Sequence, residues 1–282
     1  MTLLRNMHRK IIILTSDDIR HNYFKIRFSN SPGIEVIKTY VESENEFELK
    51  FKKICDETLD DQLKLHFALR HNSEYDFFSD IIQICEDRSQ TKFIKKNEIN
   101  NESLVQEIID LNPDLIVTYG CSIIKPPLIE AFKNRIINVH LGLSPYYFGS
   151  GTNFHALVNN EFYCVGYTFM YMNEGIDTGN IIHQSRAEIL PFDNPHQIGN
   201  RLIKSMTTDF IKLVQNFDLV SEKVQHHTEY GKTYKRKDAT LEKTMELYSV
   251  VCNENIEKYI KNSEIWEAKY PIIEQDFLRR PM

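Results

Sequence analysis

Asn138 and His140 stand two apart at the end of the apolar run IINVH, and Asp177 follows 37 positions after His140 inside the Gly-rich turn EGIDTG. The three side chains offer an amide donor, an imidazole and a carboxylate. Together they can hold a carbonyl, move a proton and orient or charge the imidazole. That is the equipment of an acyl-type transfer that forms no covalent enzyme intermediate.

Such a set works only if the fold brings it together. IINVH reads as a buried strand, and Asn138 and His140 share parity, so both side chains project to one face. They sit at the strand's C-terminal end, where open α/β sheets bind ligands. A second strand-like run, YCVGYTFMYMN, precedes Asp177 and allows a loop carboxylate to fold back over the site.

The rest of the chain alternates strand and helix signals. KIIILT (10–15), IEVIKTYVE (34–42) and DLIVTYG (114–120) read as strands. IRHNYFKIRF, ESLVQEIIDL (102–111, stopped by Asn112 and Pro113) and PLIEAFKN, opened by Pro126 and Pro127, read as helices. This alternation predicts an α/β, Rossmann-like twisted and mostly parallel sheet with helices on both faces. Residues 43–75 are highly charged, with Phe47, Leu49, Phe51 and Ile54 at helical spacing, and predict a solvated helical insertion. Past the strands, TNFHALVNNEF (152–162) predicts a helix capped at Thr152 or Asn153 that carries His155 on one face. NPHQIGNRLIKSMTTDFIKLVQNF (194–217) predicts a long amphipathic helix capped at Asp193 or Asn194. VQHHTEYGKTYKRKDA predicts a hairpin around Gly231, and residues 238–282 a short helical tail. The expected organisation is a catalytic domain over 8–205 and a small C-terminal helix and hairpin appendage over 206–282.

The order N-x-H, then LSPYYFG, then GIDTG resembles the formyltransferase family that uses 10-formyltetrahydrofolate, over roughly residues 80 to 205. The resemblance implies that Asn138 stabilises an oxyanion, that His140 is the acid/base, and that Asp177 tunes His140 and helps hold a water. It places the pterin between Ser122, Ile123 and Ile124 on one side and Asn173, Glu174, Gly175, Ile176 and Asp177 on the other. A flat heteroaromatic ring suits a slot edged by apolar side chains and backbone groups. The chain departs from the family pattern at Phe148, where many members carry arginine before the glycine, and at Ser150, where some place another. Each loss removes a bidentate anion clamp.

Composition narrows the function. Hydrophobic residues at 41% and charged residues at 26% describe an ordinary globular protein, and a net charge of −6 gives no global basic field to draw nucleic acid. Five scattered cysteines without a C-x-x-C pair suggest reduced thiols, and no stretch reads as a secretion signal or membrane span, so a cytoplasmic protein is expected. Cys121 suits a small buried role better than a reactive one. The G-x-G-x-x-G fingerprint is absent after the first strand, GKT at 231–233 lacks the upstream glycine of a phosphate loop, and His226-His227 has no further metal ligand at useful spacing. No metal and no nicotinamide cofactor are expected.

The substrate reading also rests on the resemblance. Methionyl-tRNA formyltransferases usually carry a larger β-barrel with a basic face after the catalytic domain, which the charged, helix-like tail does not match. Glycinamide ribonucleotide enzymes show a glycine-bearing phosphate loop at the first strand, and LTSDD has none. An amino sugar, nucleotide-linked and destined for surface polysaccharide, is the expected acceptor. Tyr146, Tyr147, Ser150, Thr152 and Lys235 are its candidate contacts, with Arg236 and Lys237 near a diphosphate. Alternatives are the tRNA or glycinamide ribonucleotide substrate, hydrolytic deformylation, and a folate-binding protein without turnover. The resemblance further implies a homodimer.

Overall fold

The computed structural model describes residues 8–43, 60–221 and 231–279. Five parallel strands form the body of its sheet: β1 (Arg9–Ser16), β2 (Ile34–Glu42), β3 (Thr91–Ile94), β4 (Leu115–Tyr119) and β5 (Ile136–His140). The chain then makes the short β6 (Tyr147–Gly149), which lies outside this sheet. It returns as β7 (Gly166–Tyr171), antiparallel to β5, and β8 (Ile181–Arg186), antiparallel to β7. The strand order is β3-β2-β1-β4-β5-β7-β8, so the direction of winding reverses between β1 and β4.

The expected alternation is present, and its cause is visible in β1. Ile11 and Ile13 pack into one apolar cluster, and Ile12 and Leu14 into another on the opposite face. A strand covered on both faces needs apolar residues at every position, hence the run IIIL. The second cluster is completed by Leu104, Val105 and Ile108 of a helix over Glu102–Leu111 and by Leu128 of another over Pro126–Ala131. The first holds the remaining helices. We number the helices α1 (Ile19–Ser29), α2 (Asp61–Ile84), α3 (Glu102–Leu111), α4 (Pro126–Ala131), α5 (Thr152–Val158), α6 (Pro195–Gln215), α7 (Leu241–Val250) and α8 (Asn253–Lys269).

α6 buries Ile198, Leu202, Met206, Phe210 and Leu213, a single face at helical spacing. Its cap is Asn194, whose side chain accepts from His196 N and Gln197 N at 3.0 Å each, while Gln197 Oε1 accepts from Asn194 N. The helix passes through residues 205 and 206 without a break.

The helical insertion expected over 43–75 falls partly on residues 44–59, with Phe47, Leu49, Phe51 and Ile54, which lie outside the described residues. The described part belongs to α2, which runs on to Ile84 and docks on α1 and α6. Its buried Phe78 touches the Tyr23 ring, and its buried Glu74 accepts from Arg20 at 2.9 Å and from Arg70 at 2.9 Å. The first arm of the hairpin expected around Gly231, with His226 and His227, also lies outside the described residues. The following residues form β9 (Lys232–Tyr234), which pairs in parallel with β6. α7 and α8 form the expected helical tail, and Leu247, Ile256 and Tyr259 join the main core. The chain then runs beside β8, where Gln184 N donates to Ile273 O and Gln275 Nε2 to Ile182 O. Among the described residues no helix is long and apolar enough to cross a membrane.

Where α2, α6 and α7 meet, Tyr248 Oη lies 2.9 Å from His66 Nδ1 and 2.9 Å from His196 Nε2. Burial, with the Arg70 charge second, pushes His66 down to about 4; burial, then His66 and Arg70, pushes His196 down to about 4 against a small opposing pull from Glu74. Both rings are therefore neutral in the fold and gain protons on unfolding at values near 6.5. The stability they contribute is complete above that pH and is lost as pH falls toward 4. Thermal denaturation should show Tm falling through this window. A His66→Gln, His196→Gln double variant should lose that part of the slope, and an unchanged slope would count against the assignment.

Candidate active site

Asn138, His140 and Asp177 come together at the C-terminal end of β5. His140 Nδ1 lies 3.2 Å from Asp177 Oδ2, and His140 Nε2 lies 3.1 Å from the carbonyl oxygen of Tyr147. Both ring nitrogens thus face acceptors, and both contacts become hydrogen bonds only when the ring carries two protons. The His140 side chain is 6% exposed and that of Asp177 11%. Asp177 takes a left-handed φ of 55° in the loop between β7 and β8, and its Oδ2 also accepts from the backbone N–H of Gly149 at 2.9 Å.

Asn138 is oriented from the neighbouring strand. Thr118 of β4 is its register partner, and the Thr118 hydroxyl donates to Asn138 Oδ1 at 2.7 Å. With Oδ1 taken, the amide NH2 is the group left to donate into the adjoining space.

That space is a cleft of about 150 Å³ that opens to solvent. Ser122, Ile123 and Ile124 form one wall. Asn173, Gly175, Ile176 and Asp177 form the other, with Asn138 between them. Glu174 is exposed in the same loop but does not line the cleft, and His140 sits behind Asp177. Ile123 and Ile176 are 67% and 59% exposed, an apolar pair held at the mouth, whereas Ile124 is buried core.

Two residues that the sequence reading missed hold the first wall. The buried Glu42, at the end of β2, accepts from Ser122 N at 2.6 Å and from Asn97 N at 2.9 Å. Asn100 donates to Ile123 O at 3.0 Å and accepts from Lys125 N at 2.8 Å. No local signal singles out Glu42 among the charged residues of IEVIKTYVE, whereas a threonine within the apolar run LIVTY was the signal for Thr118. Cys121 lies on the same wall, but burial, with Glu42 adding to it, pushes its thiol up to about 12. It remains a thiol and offers no nucleophile at neutral pH.

The residues suggested for substrate contacts are scattered. Tyr147 is 1% exposed, with its hydroxyl bonded to Glu161, and presents no face for stacking. Thr152 is also 1% exposed, and its hydroxyl donates to Leu141 O. Tyr146 donates to Pro271 O at 2.7 Å and packs edge-on against Tyr270. Ser150 and Lys235 are exposed; Ser150 N donates to Tyr234 O, and Lys235 N to Asp238. His155 is buried, lies flat on the Tyr234 ring at 3.8 Å, and is pushed by burial down to about 4. Among the described residues no cluster of three metal-ligating side chains occurs.

An α/β sheet that presents an amide, a buried imidazole–carboxylate pair and an apolar cleft at its strand ends is the site of a group-transfer enzyme fold. The chain matches the Formyl transferase family over residues 70–214, just over half its length, and belongs to that family. It is 28% identical over 204 residues to the methionyl-tRNA formyltransferase of Buchnera aphidicola subsp. Schizaphis graminum, covering 70% of this chain and 62% of that one. A methionyl-tRNA formyltransferase of Halalkalibacterium halodurans is 31% identical over 122 residues, covering 43% and 38%. The chain therefore spans less than two thirds of these relatives. Among solved structures, a 4-N formyltransferase from Francisella tularensis superposes with a TM-score of 0.55 at 17% identity, over 86% of this chain and 87% of its own. A phosphoribosylglycinamide formyltransferase from Anaplasma phagocytophilum gives 0.53 at 17%, over 81% and 99%. At such identities the likeness establishes the fold alone.

The packing around His140 is close. A Cβ on Gly142 would stand 2.4 Å from Thr152 Oγ1 and 2.6 Å from His140 Nε2. Gly142→Ala should cost about 1–3 kcal/mol of stability in urea unfolding through overpacking. Wild-type stability would mean that Thr152 and the imidazole yield.

Proposed function

We propose that this chain transfers a formyl group from 10-formyltetrahydrofolate to the amino group of a nucleotide-linked amino sugar, for surface polysaccharide synthesis. The observation that carries the reaction is the His140–Asp177 pair at the end of β5, of which the carboxylate lines, with Asn138, a cleft with two exposed isoleucines. Exposed large apolar side chains facing one another across a cleft suit a flat heteroaromatic ring. On this reading Ser122, Ile123, Asn173, Gly175 and Ile176 would hold it, and the formyl donor, when bound, supplies an electrophilic carbon.

The chain's own groups then divide the work. The Asn138 amide donates to the carbonyl oxygen as negative charge develops on it, an interaction typically worth about 3 kcal/mol of barrier. His140 accepts the proton that the attacking amine sheds and returns one to the departing nitrogen. Asp177, fixed by Gly149 N–H, holds the ring and balances its charge.

The amino-sugar reading draws on charge and on the tail. The net charge is −6, and α7 and α8 pack into the same core as the sheet, so the described tail is no separate basic module. The second reading, methionyl-tRNA as acceptor, is favoured by the names of the sequence relatives.

The test supplies 10-formyltetrahydrofolate with a panel of nucleotide-linked 3-amino and 4-amino sugars, glycinamide ribonucleotide and methionyl-tRNA. Tetrahydrofolate release and product mass are read. A formylated sugar nucleotide is expected from wild type, with none from His140→Ala and a rate lower by roughly a hundredfold or more for Asn138→Ala. Formyl-methionyl-tRNA instead would keep the chemistry and replace the acceptor. Folate binding without transfer to any amine would leave a binding protein.

A further inference from the structure

We propose that β9, through Lys232 and Tyr234, is a positioning element for the His140–Asp177 pair and acts on it through β6. The proposal rests on the reading of that pair as the acid/base of formyl transfer.

Both outer contacts of the pair lie on β6. The Tyr147 carbonyl faces His140 Nε2 at 3.1 Å, and Gly149 N–H donates to Asp177 Oδ2 at 2.9 Å. A shift of β6 along its own axis therefore moves the acceptor of one partner and the donor of the other together. Yet β6 is a three-residue strand outside the main sheet, and among the described residues β9 is its one strand partner.

The two strands pair in parallel with Tyr147 opposite Lys232 and Gly149 opposite Tyr234. Lys232 N donates to Tyr146 O at 2.8 Å and Ser150 N to Tyr234 O at 2.9 Å, closing the ladder at both ends. Gly149 has a φ of 89°, and a Cβ there would stand 2.2 Å from Tyr234 O, so the contact admits only glycine.

Side chains lock the register. Lys232 Nζ donates to Glu161 Oε1 at 2.6 Å, and the Tyr147 hydroxyl donates to the other oxygen of the same carboxylate. Asn159 Nδ2 donates to the hydroxyls of Tyr147 and Tyr234 at 2.9 Å each. Tyr234 is clamped against the buried His155 ring, whose planes lie within 8°. One carboxylate and one amide thus tie each strand's side chains to the same short loop after α5. Nothing in this network touches the cleft, and β9 lies beyond the region that matches the family. The cost of displacing a reacting group is steep: an error of 1 Å is worth on the order of a hundredfold in rate.

The test compares wild type with Lys232→Met, Tyr234→Phe, and the double variant, with Lys232→Arg as the conservative control. Lys232 is 42% exposed, and Tyr234→Phe keeps the ring on His155, so the double variant is expected to fold with near wild-type Tm. In the double variant kcat should fall roughly tenfold or more. KM for 10-formyltetrahydrofolate should stay within about twofold, since no cleft contact is lost. The acid limb of the pH–rate profile should move in the double variant, and Lys232→Arg alone should keep both kcat and that limb close to wild type. Long-range proton–nitrogen NMR of His140 should show shifted ring resonances in the double variant. A folded double variant with wild-type kcat, pH profile and His140 resonances overturns the proposal. If wild type transfers formyl to no amine, the reading of the reaction has failed, and the His140 resonances alone decide whether β9 positions the pair: shifted, it does; unchanged, it does not.

Discussion

A histidine buried to 6% exposure needs partners at both ends of its ring, because a polar group taken out of water without them costs a few kcal/mol. At His140 neither partner comes from the strand that carries it. Asp177 arrives on the loop between β7 and β8, and the Tyr147 carbonyl arrives on β6. Three pieces of chain must therefore hold still relative to one another. β5 is the fixed reference, gripped on one side by parallel β4 and on the other by antiparallel β7. The apolar layers on both faces of the sheet prevent it from sliding.

The same reliance on neighbours recurs across the cleft. Asn138 is aimed by a hydroxyl one strand away, and the wall at Ser122–Ile124 is tied down by Glu42 from β2 and Asn100 from the turn before α3. Polar groups near the sheet's C-terminal edge thus act on the backbone of adjacent loops, leaving the apolar side chains of those loops to face the cleft. At the point where the winding reverses, after β1, the space is filled rather than open. Arg20 bridges Asp18 and Glu74 there, and His21 sits under Gly120 with its ring pushed well below the usual range by burial and by the Arg20 charge.

Much of this was legible from residue order. β2, β5 and α3 fall where alternation and capping placed them, because buried strands are rich in apolar and β-branched residues and Asn112–Pro113 ends a helix by geometry. The pairing of Asn138 with His140 followed from strand parity, and their meeting with Asp177 followed from the family pattern. What stayed hidden depends on contacts distant in sequence. Nothing local marks Glu42 as the anchor of residue 122, 80 positions on. YYFG reads as an aromatic patch, and only the return of the chain at residues 232–234 turns Tyr147 inward. A hairpin around Gly231 was the natural local reading of GKTY, whereas its described arm pairs in parallel with a strand more than 80 residues earlier, a partner that no turn signal announces.

This last arrangement bears on how such a fold distributes its chemistry. The family match ends at residue 214 and contains every side chain expected to touch the reacting groups. It does not contain the strand that fixes β6, nor α7 and α8, which pack on α5 and on the first cluster. A three-residue strand has too few ladder bonds to hold its own register, since even an isolated two-stranded hairpin is marginal in water. The geometry around His140 therefore belongs to the longer chain and not to the matched region alone.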